Sequence, residues 1–437
     1  MSELNLKNKI FDLVKKRYEL EKSNTSFVPG VTPIPASGKV IDSNEIISMV
    51  DACLDGWLTS GRFNTEFEKK LSNFLGIKYL LTTNSGSSAN LLAFSALTSP
   101  DLSDRAIAKG DEVITVAAGF PTTINPIMQH GAIPVFVDID LETHNINPNK
   151  VEDAITKKTK AIMLAHSLGN PFNLSHILRL CKKYNLWLIE DNCDALGSKY
   201  NNQLTGTFGD IGTLSFYPAH HITMGEGGAV FTNNHKLKKI IESFRDWGRD
   251  CYCAPGKDNT CGKRFNWKLG DLPEGYDHKY TYSHMGFNLK ITDMQAACGL
   301  AQLGKLDGFI EKRKNNFNYL SNRLKSCSDF LHLPVATENS DPSWFGFLLT
   351  LKRSSNTSRV DLIKYLDQFK IGTRLLFAGN IIKQPYMKNM NYRVHDNLEN
   401  TDYVMNNSFW IGLHPALTDE MLDFVVDKIE SYFGLNF

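Results

Sequence analysis

The sequence predicts an α/β protein with a mostly parallel, seven-stranded sheet domain followed by a smaller C-terminal α/β domain. Two observations support this prediction. The chain has 437 residues, which exceeds one average domain and allows a large buried core. From about residue 39 to residue 302, short β-rich runs alternate with helical runs, as in parallel sheets whose strands are joined by crossover helices. We expect residues 1–38 to form a helix and linker, 39–305 the large domain and 306–437 the small domain.

The individual elements are predicted from local sequence patterns. Residues 1–21 are charged and amphipathic and predict a helix, whereas the Pro- and Ser-containing segment 26–39 predicts a linker. Residues 309–326 predict the first helix of the small domain. The strand candidates of the large domain are Tyr79–Thr83, Glu112–Val116, Pro134–Asp138, Ala161–Ala165, Trp187–Glu190, Gly212–Phe216 and Gly228–Thr232.

The charge balance limits the classes of partner. The chain has 48 Lys plus Arg and 47 Asp plus Glu, which argues against a nucleic-acid or membrane surface held by bulk electrostatics. Any anionic substrate must therefore be bound locally. The charged N-terminus does not resemble a signal segment, and no apolar stretch is long enough to span a bilayer. We expect a cytoplasmic protein.

The segment Asn84–Asn90 predicts a binding site for a phosphate. It follows a predicted strand and opens the apolar helical run Leu91–Leu97. The N–H groups at a helix start are free, and a glycine such as Gly86 allows an anion to approach closely. Ser87 adds a hydroxyl at the same place. The pattern by itself also fits an ordinary turn and helix cap.

Three further residues stand at or just beyond the ends of predicted strands. Asp191 follows the run 187–190, at the edge where open α/β sheets bind ligands, and its carboxylate could pair with a pyridine nitrogen. Phe120 follows the second strand and could stack on a cofactor ring. Ser215 ends the sixth strand, where its hydroxyl could reach a phosphate. Taken singly, each residue is ordinary, and a capping role for Asp191 or a core role for Phe120 is the simpler interpretation.

The stretch Ser215–Gly228 resembles the signature of the sugar aminotransferase and dehydratase family, in which a lysine at the place of His220 binds pyridoxal phosphate covalently. The order and spacing of the motifs extend the resemblance from about Trp57 to Asp307, over half of the chain, with a fainter match at Leu413–Pro415. The resemblance implies a fold-type I homodimer with its active site at the subunit interface.

The resemblance also assigns roles to single residues. It implies that Phe120 stacks on the cofactor ring and that Asp191 pairs with the ring nitrogen. Asn288 is expected to reach the phosphate of the neighbouring subunit. The other cofactor-binding residues that it implies are Gly86, Ser87, Asp194, Ser215 and Tyr217.

Two departures from the aminotransferase pattern favour dehydration. Imidazole cannot form a Schiff base, so His220 is suited to act as a general base beside noncovalently bound pyridoxamine phosphate or pyridoxal phosphate. A histidine at this place resembles the 3-dehydrases of the family. Asp194 stands where many aminotransferases of the family have His or Gln near the ring hydroxyl.

Four of the eight cysteines form a candidate metal site. Cys251, Cys253 and Cys261 crowd into one loop, and Cys193 lies next to the presumed cofactor. Their spacing alone fits a structural zinc and an iron–sulfur cluster equally. The combination of these cysteines with His220 resembles the iron–sulfur 3-dehydrases of the family, and this resemblance implies a [2Fe–2S] cluster.

The function that this resemblance implies is removal of the 3-hydroxyl from a nucleotide-linked, expected CDP-linked, 4-keto-6-deoxyhexose in 3,6-dideoxyhexose biosynthesis. A reductase containing flavin and an iron–sulfur centre would supply the electrons. Arg374 is a candidate contact for the substrate diphosphate or sugar. The alternatives are a nucleotide-sugar aminotransferase and a zinc-stabilised family member without catalytic activity.

Overall fold

The computed structural model of the chain describes residues 2–21, 26–253 and 256–435. Within them the α-helices are α1 (Glu3–Glu21), α2 (Ser43–Leu54), α3 (Arg62–Leu75), α4 (Gly86–Leu97), α5 (Pro121–Gln129), α6 (Pro148–Ala154), α7 (Leu174–Tyr184), α8 (His235–Arg245), α9 (Asp293–Leu303), α10 (Leu306–Arg323), α11 (Arg359–Gln368), α12 (Glu399–Asn407) and α13 (Asp419–Tyr432). The strands are β1 (Tyr79–Thr83), β2 (Glu112–Val116), β3 (Ile133–Val137), β4 (Thr159–Ala165), β5 (Trp187–Asp191), β6 (Lys199–Tyr200), β7 (Gln203–Leu204), β8 (Ile211–Ser215), β9 (Gly228–Thr232), β10 (Leu331–His332), β11 (Ser340–Asp341), β12 (Gly346–Leu351), β13 (Arg393–Val394) and β14 (Ser408–Gly412).

The central sheet has the order β1-β9-β8-β5-β4-β2-β3-β13. Strand β9 is antiparallel to both of its neighbours, and the other pairings are parallel. All seven predicted strands are present, with bounds that differ by at most two residues at either end. The short strand β13 adds an eighth strand to the edge and was not predicted, because two residues are too few for a periodic pattern.

Helices cover both faces of the central sheet. Alternate residues of a strand point to opposite faces, so Leu81 packs in the cluster of α4 and α8, whereas Leu80 packs in the cluster of α3 and α9. Met163 and Ile162 of β4 divide in the same way, with Ile162 facing α6 and α7. The apolar runs of these strands therefore reflect burial on both faces.

A second core lies in the C-terminal part of the chain. The sheet β10-β12-β14 packs with α10, α11 and α13, and the rings of Phe317 and Trp344 stack with centroids 3.9 Å apart. Ile34, from the predicted N-terminal linker, pairs with Ile371 and belongs to this C-terminal core. Conversely, β13 lies in the predicted small domain by sequence but pairs with the large central sheet. The division at residues 38 and 305 stays a prediction.

Parallel strands bring distant residues to one edge of the central sheet. Strands β4, β5 and β8 end there at Ala165, Asp191 and Ser215. Helices α4 and α5 begin near the same edge, at Gly86 and immediately after Phe120. Among the described helices, none has the length and apolarity needed to cross a membrane.

Candidate active site

A cavity of about 510 Å³ lies at this edge of the sheet. Ten of the predicted site residues line it. They are Gly86, Ser87, Phe120, Asp191, Cys193, Asp194, Ser215, Tyr217, His220 and Arg374. Ser37, Phe345, Leu375, Phe377 and Trp410 also line the cavity and come from the N-terminal linker and the C-terminal part. The cavity thus combines residues from all three predicted segments.

One end of the cavity contains the start of helix α4. Ser85 caps α4 by accepting a hydrogen bond from the Ser88 N–H, which leaves the first-turn N–H groups of Gly86 and Ser87 without a partner inside the helix. A Cβ on Gly86 would overlap the Cβ of Ser215, so only glycine permits this approach of helix and strand. Gly86, Ser87 and Ser215 therefore line the same end of the cavity, and free N–H groups at a helix start are suited to bind an anion.

Asp191 is held in place by three donors. Its Oδ2 accepts hydrogen bonds from the Asn90 amide at 2.7 Å and the Thr123 hydroxyl at 2.6 Å, and its Oδ1 accepts one from the Cys193 N–H at 3.1 Å. The Thr213 hydroxyl donates in turn to the side-chain Oδ1 of Asn90 at 2.7 Å. The side chain is 5% exposed and lines the cavity. A fixed carboxylate in this place can pair with a protonated ring nitrogen.

Asn90 and Thr123 were not predicted as site residues. Both are buried polar residues next to predicted motifs, since Asn90 ends the phosphate segment and Thr123 follows Phe120 by three positions. An amide side chain next to the apolar run that follows it in helix α4 was the available signal for Asn90.

Aromatic side chains form another wall of the cavity. Phe120 is 49% exposed although it is large and apolar, and its ring meets Phe377 edge to face at 6.3 Å. Phe377 and Leu168 have left-handed backbones, with φ of 45° and 47°. Bulky residues adopt this conformation at an energetic cost and only where the surroundings impose it, which is common at functional sites. Because the ring of Phe120 is half exposed and lines the cavity, an aromatic ligand could stack on its face.

His220 faces the cavity with Asp194 beside it. The Nδ1 of His220 lies 3.4 Å from Oδ1 of Asp194, and the two side chains are 16% and 12% exposed. The atoms are not aligned as a hydrogen bond, so Nδ1 has no partner among the described residues. Burial raises the pKa of Asp194, and the nearby His220 and Arg313 act against this rise. A carboxylate near one imidazole nitrogen favours the tautomer in which the other nitrogen is a base.

The neighbouring imidazole of His221 has a different environment. His221 is 2% exposed, does not line the cavity, and its Nε2 lies 2.8 Å from the carbonyl oxygen of Ser343. Burial holds the pKa of His221 well below its usual value, and the positive charge of Arg313 lowers it further. The structure therefore separates a cavity imidazole from a buried structural one.

Arg374 and Tyr217 lie where the cavity meets solvent. Tyr217 is 52% exposed, and Arg374 is exposed and donates from its guanidinium to the Thr373 carbonyl oxygen at 2.8 Å. The backbone of Arg374 pairs with that of Trp410 in both directions. Among the described residues Arg374 has no carboxylate within ion-pair distance, so its charge can act on an anion at this opening.

The four predicted metal ligands lie in two places. Cys193 lines the main cavity, whereas Cys251, Cys253 and Cys261 line a separate small cavity with His278. Within the described ranges, no three or more His, Cys, Asp or Glu side chains are arranged to hold a metal ion. The four cysteines are free thiols, and three of them share one cavity. Thiols are the donors that an iron–sulfur cluster requires. The described residues of one chain do not bring all four of these thiols together.

The thiols differ in their protonation. Burial raises the pKa of Cys193, and the negative charge of Asp191 raises it further. A hydrogen bond with Thr260 lowers the pKa of Cys253, whose Sγ lies 3.0 Å from the Thr260 hydroxyl. Thiolates are the species that bind metals. In the same loop burial raises the pKa of Cys251, so Cys253 is the more readily ionised of these two thiols.

Asn288 does not line the cavity of its own chain. Its backbone pairs with that of Asp246, and its side-chain oxygen accepts a hydrogen bond from Lys290 at 3.0 Å. The residue is exposed. Its contact with the phosphate of a neighbouring subunit stays a prediction.

The fold and this cavity define a class of enzyme. A mostly parallel sheet, a helix start that can hold an anion and a buried aspartate at the strand edge form a fold-type I, aminotransferase-like architecture. The chain belongs to the DegT/DnrJ/EryC1/StrS aminotransferase family, whose sequence model matches residues 40–430.

Characterised relatives narrow the comparison. The chain is 65% identical to the lipopolysaccharide biosynthesis protein RfbH of Salmonella typhimurium over the full length of both chains. It is 51% identical to dTDP-4-dehydro-2,6-dideoxy-D-glucose 3-dehydratase of Saccharopolyspora spinosa over 95% of this chain and 90% of that protein. The structure of E. coli GDP-4-keto-6-deoxy-D-mannose-3-dehydratase with bound hydrated PLP superimposes with a TM-score of 0.81 and 31% identity, covering 90% of this chain and 98% of that one.

Proposed function

We propose that the chain is a pyridoxamine-phosphate-dependent 3-dehydrase that removes the 3-hydroxyl of a nucleotide-linked 4-keto-6-deoxyhexose. The observation that carries the proposal is the place of His220, which lines the cavity in the position where the family's aminotransferases have lysine. Among the described residues lining the cavity, none is a lysine. Two of the relatives are named as sugar 3-dehydratases, which supports the same reaction.

The residues of the cavity fit the cofactor. The N–H groups of Gly86 and Ser87 and the hydroxyl of Ser215 would bind its phosphate. Asp191 would hold the ring nitrogen and Phe120 would stack on the ring. When bound, pyridoxamine phosphate supplies an amino group for the sugar ketone and a ring that accepts electrons. Gly86 supports this fit, because it has no side chain and lets the start of α4 lie close to Ser215 at the end of β8.

His220 would move the proton. Asp194 lies beside Nδ1 and favours the proton on that atom, which leaves Nε2 of His220 free to take a proton from the carbon next to the cofactor amine. Because imidazole cannot bind the cofactor covalently, the pyridoxamine form remains available for the dehydration of the sugar. Tyr217 lies at the opening of the same cavity and would contact the cofactor there.

The substrate would enter past Arg374. Its guanidinium would meet the diphosphate of the substrate. We propose CDP as the nucleotide. The names of two relatives specify dTDP- and GDP-linked substrates. The nucleotide therefore needs a direct assay.

We further propose that Cys193, Cys251, Cys253 and Cys261 bind a [2Fe–2S] cluster. The shared cavity of the three loop cysteines and the lowered pKa of Cys253 support this assignment. Such a cluster supplies single electrons, and a reductase containing flavin and an iron–sulfur centre would be their source. Exposed aromatic side chains near the loop, including Tyr280 and Tyr282, support a homodimer that covers this side.

The decisive experiment compares His220→Asn with His221→Gln in the enzyme loaded with pyridoxamine phosphate. Solvent exchange of the cofactor methylene proton should fall about a hundredfold to ten-thousandfold in His220→Asn, the usual loss of a general base. Exchange in His221→Gln should fall much less than in His220→Asn, because His221 does not line the cavity and a glutamine amide can still donate to the Ser343 carbonyl oxygen. Near-normal exchange in His220→Asn would overturn the assignment. Assays with CDP-, GDP- and dTDP-linked 4-keto-6-deoxy sugars and a reductase would then identify the nucleotide.

A further inference from the structure

The segment Ser343–Phe345 connects the C-terminal core to the active site. The Ser343 N–H donates to the hydroxyl of Ser198 at 2.8 Å, and the Phe345 N–H donates to the carbonyl oxygen of Leu168 at 2.8 Å. The Ser343 carbonyl oxygen lies 2.8 Å from Nε2 of His221. Three hydrogen bonds therefore hold this short segment against loops that follow strands of the large sheet.

The turn that receives this segment is strained. Leu168 has a φ of 47° and Gly169 a φ of 90°. A Cβ on Gly169 would overlap the carbonyl oxygen of Ser343, so the two backbones approach more closely than any other residue would allow. Strain of this kind persists only where the surrounding contacts fix the position, which means that the segment has little freedom to shift.

Phe345 carries this fixed position to His220. Its ring centroid lies 5.2 Å from that of His220 at an interplanar angle of 37°, and 5.5 Å from that of Trp410. Both Phe345 and His220 line the cavity. The phenyl ring therefore limits how far the imidazole can rotate or retreat.

Arg313 of α10 holds the other side of the segment. Its side chain is 1% exposed, and its Nη1 donates to the carbonyl oxygens of Trp344 and Phe345, both at 3.2 Å. Its Nε and Nη2 have no acceptor among the described residues. Burial lowers the pKa of Arg313 to about 10, and the negative charge of Asp194 opposes that change. Burying the charge of an arginine costs free energy unless the charge is balanced, so we looked for what this side chain positions.

We propose that Arg313 is a positioning residue for His220, acting through the Trp344 and Phe345 carbonyls that it holds and the Phe345 ring that packs on the imidazole. This inference rests on the proposed function, in which His220 is the base. Arg313 does not line the cavity, so it touches neither the cofactor nor the substrate directly. Its effect should therefore be on the rate of proton transfer and not on binding.

The test uses Arg313→Met, Arg313→Lys and the matched control Arg323→Met, which removes an exposed arginine of the same helix. Histidine labelled with ¹³C reports the imidazole signals, with His220 assigned from His220→Asn. The wild-type protein should give a single His220 signal. In Arg313→Met that signal should shift or broaden, and methylene exchange should fall on the order of a hundredfold with cofactor and substrate affinity within about threefold. Arg313→Lys keeps a charge but loses the planar donor and should recover only part of the rate.

Each outcome decides between readings. An unchanged His220 signal and exchange rate in a folded Arg313→Met protein would overturn the positioning role. If Arg313→Met did not fold, Phe345→Leu provides the second variant, and it should move the His220 signal while leaving thermal stability closer to wild type. A shifted His220 signal in Arg313→Met, combined with normal exchange in His220→Asn, would support the positioning contact but refute the proposed function.

Discussion

Nδ1 of His220 lies 3.4 Å from Oδ1 of Asp194, within one cavity wall and only partly exposed to solvent. Burial raises the pKa of this carboxyl group, while His220 and Arg313 favour its charged form. The carboxylate follows Cys193 on the loop after β5, and the imidazole lies on the loop after β8, so the pair depends on two neighbouring parallel strands. In the proposed function, this carboxylate favours a proton on Nδ1 and leaves Nε2 of His220 as the base.

Replacing Asp194 by Asn should slow proton transfer without releasing the cofactor. The amide has the same shape but loses the charge that favours a proton on Nδ1 of His220. We expect methylene exchange to fall about tenfold to a hundredfold, since misplacement of a catalytic group carries a cost of that order. Stopped-flow or mass-spectrometric exchange would measure it. A wild-type rate in Asp194→Asn would show that His220 is oriented by other contacts.

Gly86→Ala should weaken cofactor binding. The added Cβ would overlap Ser215, and moving helix or strand apart costs about 1–3 kcal/mol, which corresponds to roughly fivefold to 150-fold in affinity. Calorimetric titration with pyridoxamine phosphate measures the change. Gly308→Ala is the matched control, because a Cβ there meets nothing within 4 Å and alanine favours the helix. Equal affinities in the two variants would count against the phosphate site at Gly86.

Cys253→Ser should abolish iron binding in protein reconstituted with iron and sulfide. Cys53→Ser is the control, because Cys53 is an exposed free cysteine on α2, outside the proposed ligand set. Iron and sulfide analysis, together with the visible spectrum, should give about two iron atoms per chain for the control and almost none for Cys253→Ser. Bound zinc in place of iron, or full iron content in Cys253→Ser, would refute the cluster assignment.

His144 should make stability fall in mild acid. Burial lowers its pKa from 6.5 to about 4, so the unfolded chain binds more protons than the folded chain between these values. The stability is complete above pH 6.5 and is lost as the pH falls to about 4, by roughly 3 kcal/mol. In His144→Asn, which suits the φ of 56°, the urea midpoint should depend less on pH over this range. The exposed His235→Asn variant should retain the wild-type slope.

Local sequence was sufficient for the strands and for part of the site. Short apolar runs between turn residues predicted β1, β2 and β9 with the bounds that the structure shows, because a strand buried on both faces needs a continuous apolar segment. Gly86 and His220 could be found because each lies in a contiguous motif. Asp191 could be found because parallel strands bring their carboxyl ends to one edge.

Contacts between distant residues could not be read in the same way. Asn90 and Thr123 hold Asp191 across 101 and 68 positions, and Arg313 of α10 reaches the Phe345 carbonyl oxygen in the loop before β12. The sequence shows two adjacent imidazoles, and only the folded chain places His220 in the cavity and His221 against the Ser343 carbonyl. It also shows four cysteines without showing that three share one cavity and the fourth another. Sequence thus determined which chemical groups are available and the strands that carry them. Tertiary structure decided which groups meet, because hydrogen bonding and burial depend on packing between segments far apart in the chain.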